Sequence, residues 1–310
     1  MRILVTGGAG FIGSHMVDGF IAAGHQVSVL DDLSSGKREN LNPQARFYQL
    51  DVQDAAVADV FRREQPEVLC HHAAQMDVRR SVADPVFDAR VNLVGLLNLM
   101  ENGRQHGLRR VLFASTGGAI YGEQDVFPAP ETHPTAPVSP YGVAKLASER
   151  YLFFYSVAYG ISYAALRYAN VYGPRQNPHG EAGVVAIFAE KLLRSEQPII
   201  NGDGLQTRDY VYVADLVRAN LSALNADFSG ALNFGTGVEV DVNTIFTHLC
   251  RLCGSQAREK HGPAKPGEQT RSVIDNAMAR RVLGWQPQVA LEDGLRQTVE
   301  FFRGRLQQPS

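Results

Sequence analysis

The seven residues Gly7-Gly8-Ala9-Gly10-Phe11-Ile12-Gly13 limit what this chain can fold into more than any other stretch. They follow directly on a short apolar strand, Ile3-Leu4-Val5-Thr6. They lead into a helix-like run from Ser14 to Ala23, which Gly24 stops. Strand, glycine loop and helix in that order form the front of a dinucleotide-binding fold. Glycines at 7, 10 and 13 let the backbone turn tightly, approach a pyrophosphate, and pack helix on strand. The helix N-terminus offers N–H groups and a positive dipole end to the phosphates. The spacing is G-x-x-G-x-x-G rather than G-x-G-x-x-G.

The next strand, Gln26 to Leu30, ends in Asp31-Asp32. An acid about twenty residues past such a loop suits the ribose hydroxyls of NAD and repels the extra phosphate of NADP. Lys37 and Arg38 close behind soften that preference. A third strand, Arg46 to Leu50, runs into Asp51-Val52, where a carboxylate could accept from an adenine amine and the valine cover the ring. A helix spans Ala55 to Glu64. The fourth strand, Val68 to His72, leads to Ala73-Ala74-Gln75, small residues that leave room for a cofactor at a strand's C-terminal end. A long helix from Pro85 to His106 contains Asn92. The fifth strand, Arg110 to Ala114, ends in Ser115-Thr116-Gly117-Gly118. A helix from Tyr141 to Tyr159 and a strand from Ser162 to Arg167 continue the alternation. This rhythm predicts an α/β protein with a Rossmann-type, doubly wound parallel sheet.

Within Ser139-Pro140-Tyr141-Gly142-Val143-Ala144-Lys145, proline can start a helix because its missing N–H has no partner there anyway. Tyr141 and Lys145 then stack on one face. A nearby ammonium favours phenolate and lowers a phenol's pKa, as a general acid/base near neutral pH requires. A surface tyrosine and a solvated lysine are the plain alternative.

After Arg167 the rhythm fails. Asn170 to Arg175 reads as a loop, Gly183 to Arg194 as a helix, and Pro198 to Gly204 as a turn-rich strand. A helix follows from Asp215 to Asn225, and Asn233 to Gly237 returns toward the sheet. Leu291 to Leu306 is the last helix. The expected organisation is a cofactor domain over 1–168, with returning segments near 205–240, and an interleaved, smaller C-terminal substrate lobe over 169–310. The helices 85–106 and 141–159 are apolar nearly all round, whereas covering one sheet face needs a single stripe. A homodimer joined through these two helices is the expectation.

The net charge of −2 gives no basic field for nucleic acid or an anionic membrane surface. The apolar runs are broken well short of a membrane span. The chain opens on strand residues with no signal peptide, and three cysteines suit a reducing, cytoplasmic setting. Cys250 and Cys253 lack a second pair for zinc, and His71-His72 has no partner at ligand spacing, so no metal is expected.

Taken together the motifs resemble the extended short-chain dehydrogenase/reductases, and among them the NDP-sugar epimerases of the bacterial UDP-glucose (UDP-galactose) 4-epimerase type. The likeness runs through nearly the whole chain, from T-G-G-A-G-F-I-G-S at Thr6 to L-G-W-x-P at Leu283. Between these lie S-T-G-G-A-I-Y-G at Ser115, S-P-Y-G-V-A-K at Ser139, L-R-Y-A-N-V-Y-G-P-R at Leu166, H-G-E-A-G-V-V at His179 and R-D-Y-V-Y-V at Arg208. The resemblance implies inversion at C4 of a UDP-hexose through transient oxidation to a 4-keto sugar, with NAD bound throughout. It implies that Tyr141 moves the proton of the 4-hydroxyl, and that Lys145 lowers the tyrosine pKa and holds the nicotinamide ribose. Gly7, Gly10, Phe11, Ile12 and Gly13 match its pyrophosphate loop, Asp31 its ribose acid, and Asp51-Val52 its adenine contacts. Ala73, Ala74 and Gln75 match strand-end cofactor contacts. Asn92 and Ser115 fall on the nicotinamide side. For the substrate, Asn170 matches a phosphate contact, Val184 and Ile199-Ile200-Asn201 match uracil and ribose contacts, and Arg208 matches a diphosphate arginine.

Three departures stand out. Many members place Ser or Thr four residues before the tyrosine of Tyr-Gly; counting back from Tyr121, this chain has Gly117. Thr116 is the neighbouring candidate, with water as an alternative. Lys265-Pro266-Gly267-Glu268 stands where many have R-P-G-D/E, which keeps the charge of the clamp but loses the bidentate fork. Ser272 falls where residue size governs acceptance of N-acetyl sugars, and a small serine implies that such sugars fit. A 4,6-dehydratase, a decarboxylase and a non-catalytic NAD sensor on the same fold are the competing readings.

Overall fold

The computed structural model describes residues 1–179, 183–264 and 269–307. The chain builds β1 (Arg2–Thr6), α1 (Phe11–Ala22), β2 (Gln26–Leu30), β3 (Arg46–Tyr48), α2 (Val57–Glu64) and β4 (Val68–His71). Two short helices follow, α3 (Val78–Ala83) and α4 (Pro85–Ala89), then a π-turn over Arg90–Val94 and α5 (Gly95–Gln105). Next come β5 (Arg110–Thr116), α6 (Pro140–Tyr159) and β6 (Ser162–Tyr168). The second half comprises β7 (Asn170–Tyr172), α7 (Val184–Leu193), β8 (Ile200–Asn201), β9 (Thr207–Tyr212), α8 (Val213–Leu224) and β10 (Gly230–Phe234). The chain closes with β11 (Glu239–Asp241), α9 (Val242–Cys253), β12 (His261–Gly262), β13 (Arg271–Ser272), α10 (Ala277–Leu283) and α11 (Leu291–Gln307).

Seven strands form one parallel sheet in the order β10-β6-β5-β4-β1-β2-β3. The strand order reverses between β1 and β4, where a doubly wound sheet opens its ligand crevice. Because both faces are covered, the strands read as apolar runs rather than alternating ones. Ile3, Val5, Val29, Leu112, Leu166 and Leu232 pack with α1 and α8 on one face. Leu4, Leu30, Leu69, Val111 and Phe113 pack with α2, α5 and α6 on the other.

The remaining strands form two small sheets, β11-β9-β13 with β7 also on β9, and β12-β8. Their core gathers Tyr172, Phe188, Tyr210, Tyr212, Phe246 and Phe302. The chain crosses between this lobe and the main sheet: after β9, α8 and β10 return to pack on and pair with the Rossmann strands.

Two expectations are corrected. Asn170–Tyr172, read as loop, pairs in parallel with β9 at Tyr210–Tyr212. A strand of 3 residues has too few positions to show a period. The helix read as continuous over 85–106 is broken by the π-turn carrying Asn92. Pattern alone does not separate a π-turn from an α-helix, and such turns concentrate at functional sites.

Candidate active site

The glycine loop is shaped by close approach. Gly7 has φ +68°, and a Cβ there would lie 2.6 Å from the Ala73 nitrogen and 2.7 Å from the His72 carbonyl carbon. A Cβ on Gly13 would run into the Gly7 carbonyl oxygen. Gly10 occupies the N-cap of α1, with no side-chain cap and no acid in the first turn. Phe11 and Ile12 direct their rings and methyls into the two adjoining cores, so their offering to a phosphate is the backbone N–H. This is an anion cradle at a helix N-terminus, closed to any side chain that would fill it.

Asp31 is buried at the end of β2. Its Oδ2 accepts from Ala9 N at 2.9 Å and its Oδ1 from Leu33 N at 2.8 Å. Burial raises its pKa above the ordinary carboxylate value while these bonds oppose the rise. Asp32 is exposed, and its Oδ1 accepts from the Ser34 amide and hydroxyl. The two acids thus divide: Asp31 faces the loop, Asp32 closes a turn. Asp51 accepts from Gln53 N at 2.8 Å. Val52 is only 4% exposed and lies against Gly95, leaving an adenine ring little of its surface. Ala73 N donates to Thr6 Oγ1 at 3.3 Å, which ties the exit of β4 to that of β1. The sequence-expected Gln75 and Asn92 bond each other: Gln75 N donates to Asn92 Oδ1 at 2.9 Å, and Asn92 Nδ2 to Gln75 O at 2.9 Å.

At the opposite end of the crevice, Ser139 caps α6, its hydroxyl accepting from Gly142 N at 3.2 Å, with Pro140 in the first turn. Lys145 is 3% exposed. Its Nζ donates to Ala114 O at 2.8 Å and stands 5.8 Å from the Tyr141 ring centroid and 4.8 Å from that of Phe113. Burial brings the ammonium's pKa down to about 8, opposed by Asp88 and Glu149. The expected lowering of the Tyr141 pKa does not hold in the protein alone. Burial pushes the half-buried phenol above its ordinary value, and Asp88 adds to the rise. The ammonium is held toward a carbonyl, too far from the ring to outweigh desolvation.

Three polar atoms converge above Gly118. A Cβ on that residue would lie 3.8 Å from Asn170 Oδ1 and 3.9 Å from both Thr116 Oγ1 and Ser272 Oγ. At Gly117 a Cβ would sit 2.6 Å from Ile274 Cδ1, so a serine or threonine there would displace that side chain. The neighbouring Thr116 Oγ1 accepts from Ala119 N at 3.2 Å. Gly142 packs close to the Ala119 carbonyl, which sets the first turn of α6 against this loop.

Ser115, expected on the nicotinamide side, turns away: its hydroxyl donates to Glu149 Oε1 at 2.6 Å, leaving only its backbone for a cofactor. Glu149 also binds Arg167 in a buried fork, at 3.0 Å from Nε and 2.7 Å from Nη2. Arg167 Nη1 reaches the Tyr121 hydroxyl at 2.9 Å, which donates to Asn233 Oδ1 at 2.7 Å. The sequence reading missed this network. Glu149 lies four residues beyond Lys145, so extending the Tyr141–Lys145 stripe by one turn would have found it.

On the substrate side, β13 lies beside β9 with Ser272 opposite Arg208. Arg208 Nη1 donates to its neighbour's Thr207 O at 2.8 Å. The neighbouring Asp209 is 1% exposed and accepts from Thr236 and Gly237. Val184 opens α7. Ile199 is partly exposed, and Asn201 ends β8, its carbonyl accepting from Gln206 at 3.2 Å. Lys265 and Glu268 lie outside the described residues. Among the described residues no group of three or more His, Cys, Asp or Glu side chains could hold a metal ion.

Strand order, the glycine loop before α1 and the buried acid after β2 define a Rossmann-type dinucleotide-binding protein, in which Gly7 and Gly13 let the loop pack on β4 and on itself. Residues 3–235 match the NAD dependent epimerase/dehydratase family, and the chain belongs to that family. It is 47% identical to a UDP-glucose 4-epimerase of Mycolicibacterium smegmatis, over 99% of this chain and 100% of that one. A crystal structure of a Thermotoga maritima UDP-glucose 4-epimerase with UDP-glucose superposes with a TM-score of 0.97 at 50% identity, covering 99% of this chain and 100% of that one. A Thermus thermophilus UDP-glucose 4-epimerase in complex with NAD gives 0.93 at 46% identity, covering 98% and 99%.

Proposed function

We propose that the protein is an NAD-dependent UDP-glucose 4-epimerase. The observation that carries this reading is the convergence of Thr116, Asn170 and Ser272 on the open side of Gly118, beside the Tyr141–Lys145 turn. The likeness to UDP-glucose 4-epimerases over essentially the whole chain supports it.

Bound NAD would take the C4 hydride and give it back to either face of the sugar. The loop of Gly7, Gly10 and Gly13 with the N–H groups of Phe11 and Ile12 would hold its pyrophosphate, and Asp31 its ribose. Lys145 keeps a positive charge beside the phenol. Tyr141 accepts the proton of the 4-hydroxyl and later returns it, while Thr116 fixes that hydroxyl by a hydrogen bond. With its pKa raised the phenol stays protonated near neutral pH, so acting as the base requires more positive charge near Tyr141 than Lys145 alone supplies, which an oxidised nicotinamide would add when bound. Arg208 meets the diphosphate, with Asn170, Val184, Ile199 and Asn201 along the nucleotide. Net redox change is zero, so one NAD serves many turnovers.

Gly117, Gly118 and Ala119 offer no carboxylic acid to drive loss of water, which disfavours a 4,6-dehydratase. The test is purified protein with UDP-galactose and no added cofactor. Formation of UDP-glucose is expected; tightly bound NAD without turnover would favour a sensor. By the resemblance, Ser272 stands where residue size governs acceptance of N-acetyl sugars, so UDP-N-acetylglucosamine is expected to be converted as well, and turnover of UDP-glucose alone would remove that extension. We take the enzyme to be cytoplasmic, consistent with three free cysteines. We also take it to be a homodimer joined through the helical segments 85–106 and 141–159, whose exposed apolar side chains support that reading.

A further inference from the structure

Asp88 is fully buried in α4, 0% exposed, yet it forms no ion pair with any described residue. One oxygen is crowded and the other bare. Oδ1 accepts from Asn92 Nδ2 at 2.9 Å and from Gln75 Nε2 at 3.0 Å, while Oδ2 has no hydrogen-bond partner. A buried carboxylate left this way is costly unless a positive charge stands near. Glu149, the other acid close to Lys145, has its own guanidinium in Arg167. Asp88 has none, and its charge acts on both Lys145 and Tyr141.

The groups around the ammonium are few. Tyr141 and Glu149 face it from its own helix, Asp88 from α4, and His71 and His72 from the end of β4, where Lys145 in turn disfavours their protonation. Both imidazoles are therefore neutral, and Glu149 is matched by Arg167 and Ser115. Asp88 is the remaining carboxyl group of this set with no basic side chain bonded to it. Its two amide donors are the side chains that set the exit of β4 against the π-turn.

We propose that Asp88 is a positioning residue of the reacting site: it anchors the amides of Gln75 and Asn92, and its carboxylate offsets the charge of the Lys145 ammonium through space, without a direct ion pair. This rests on the reading of Tyr141 and Lys145 as the reacting pair. Asp88 touches neither sugar nor reacting atom; it acts through the charge of the lysine and the placement of two amides.

Asp88→Asn keeps the shape and removes the charge. Because that charge favours the protonated form of both Lys145 and Tyr141, both limbs of log(kcat/KM) against pH should move to lower pH, by roughly one unit or more. A role in packing alone would lower the plateau and leave the limbs in place, and that result would overturn the proposal. A second measurement holds even if this variant does not fold. Lys145→Met leaves Asp88 buried without its cation, so the double variant Lys145→Met/Asp88→Asn should melt above Lys145→Met. A double variant that melts at or below the single one overturns the proposal. Near-normal turnover by Lys145→Met would overturn the reading of the reacting pair instead, and the melting comparison would still decide the role of Asp88.

Discussion

At Tyr141 the structure sets two demands against each other. The phenol must give up a proton near neutral pH, yet burial and Asp88 hold its pKa above the ordinary value. Tyr141→Phe removes the oxygen and little volume. It is expected to fold and to copurify with NAD, but to lose about three orders of magnitude in kcat, since general acid–base catalysis supplies ~10²–10⁴. Steady-state rates with UDP-galactose check this, and a loss under tenfold would move the base elsewhere. The residue scale also marks where the sequence could be read. The roles of Gly7 and Gly13 were legible because the loop, strand and helix are contiguous, so spacing alone states the geometry. The direction of the Ser115 hydroxyl was not, because it depends on Glu149, 34 residues away. The rise in the Tyr141 pKa was hidden as well, because desolvation is set by the packing of elements and not by spacing along one helix.

At the scale of elements, the two helices read as apolar all round each carry a buried face and exposed apolar side chains, which suit the proposed homodimer. Leu152 and Tyr155 of α6 are buried in the Rossmann core, while Val143, Phe153, Phe154 and Val157 are 52%, 57%, 49% and 73% exposed. Val86 of α4 and Val94, the last residue of the π-turn, are exposed at 59% and 51%. Large apolar side chains clustered on a surface mark an interface. Phe154→Asp should therefore give a folded monomer, with unchanged far-UV circular dichroism and half the mass by sedimentation equilibrium. A variant that sediments as wild type would place the interface elsewhere. The excess of apolar residues was visible in the sequence because a helix has a fixed period. The pairing of β7 with β9 was not, since 40 residues separate Asn170 from its partner Tyr210 and neither strand carries a period of its own.

For the whole molecule, the acid side of the stability profile is shaped by four histidines with lowered pKa values, His15, His25, His71 and His72, the last two where the sheet opens. His71 is 1% exposed, with Nδ1 2.6 Å from Thr6 Oγ1, and His72 Nε2 stands 3.2 Å from the Tyr168 hydroxyl. Burial holds His71 well below the usual imidazole range and brings His72 down to about 3, with Lys145 adding to both. In the unfolded chain each titrates near pH ~6.5. A folded-state pKa below the unfolded one means that the unfolded chain binds more protons as pH falls. The stabilisation is therefore complete above about pH 6.5 and is lost below it, at roughly 1.4 kcal/mol per pH unit for each histidine. The buried acids Asp31, Glu131 and Asp209, whose pKa values are raised, work in the opposite direction but only nearer the carboxylate range. Urea melts between pH 7.5 and 5 thus isolate the imidazoles. Stability should fall steadily below pH 6.5, and His72→Gln, which keeps a polar partner for Tyr168, should make the fall shallower. Equal slopes in the variant and the parent would assign the loss to other groups. Because the folded protein keeps both imidazoles neutral across this interval, the loop at Gly7 stays in place, and bound NAD should be retained until the chain itself unfolds.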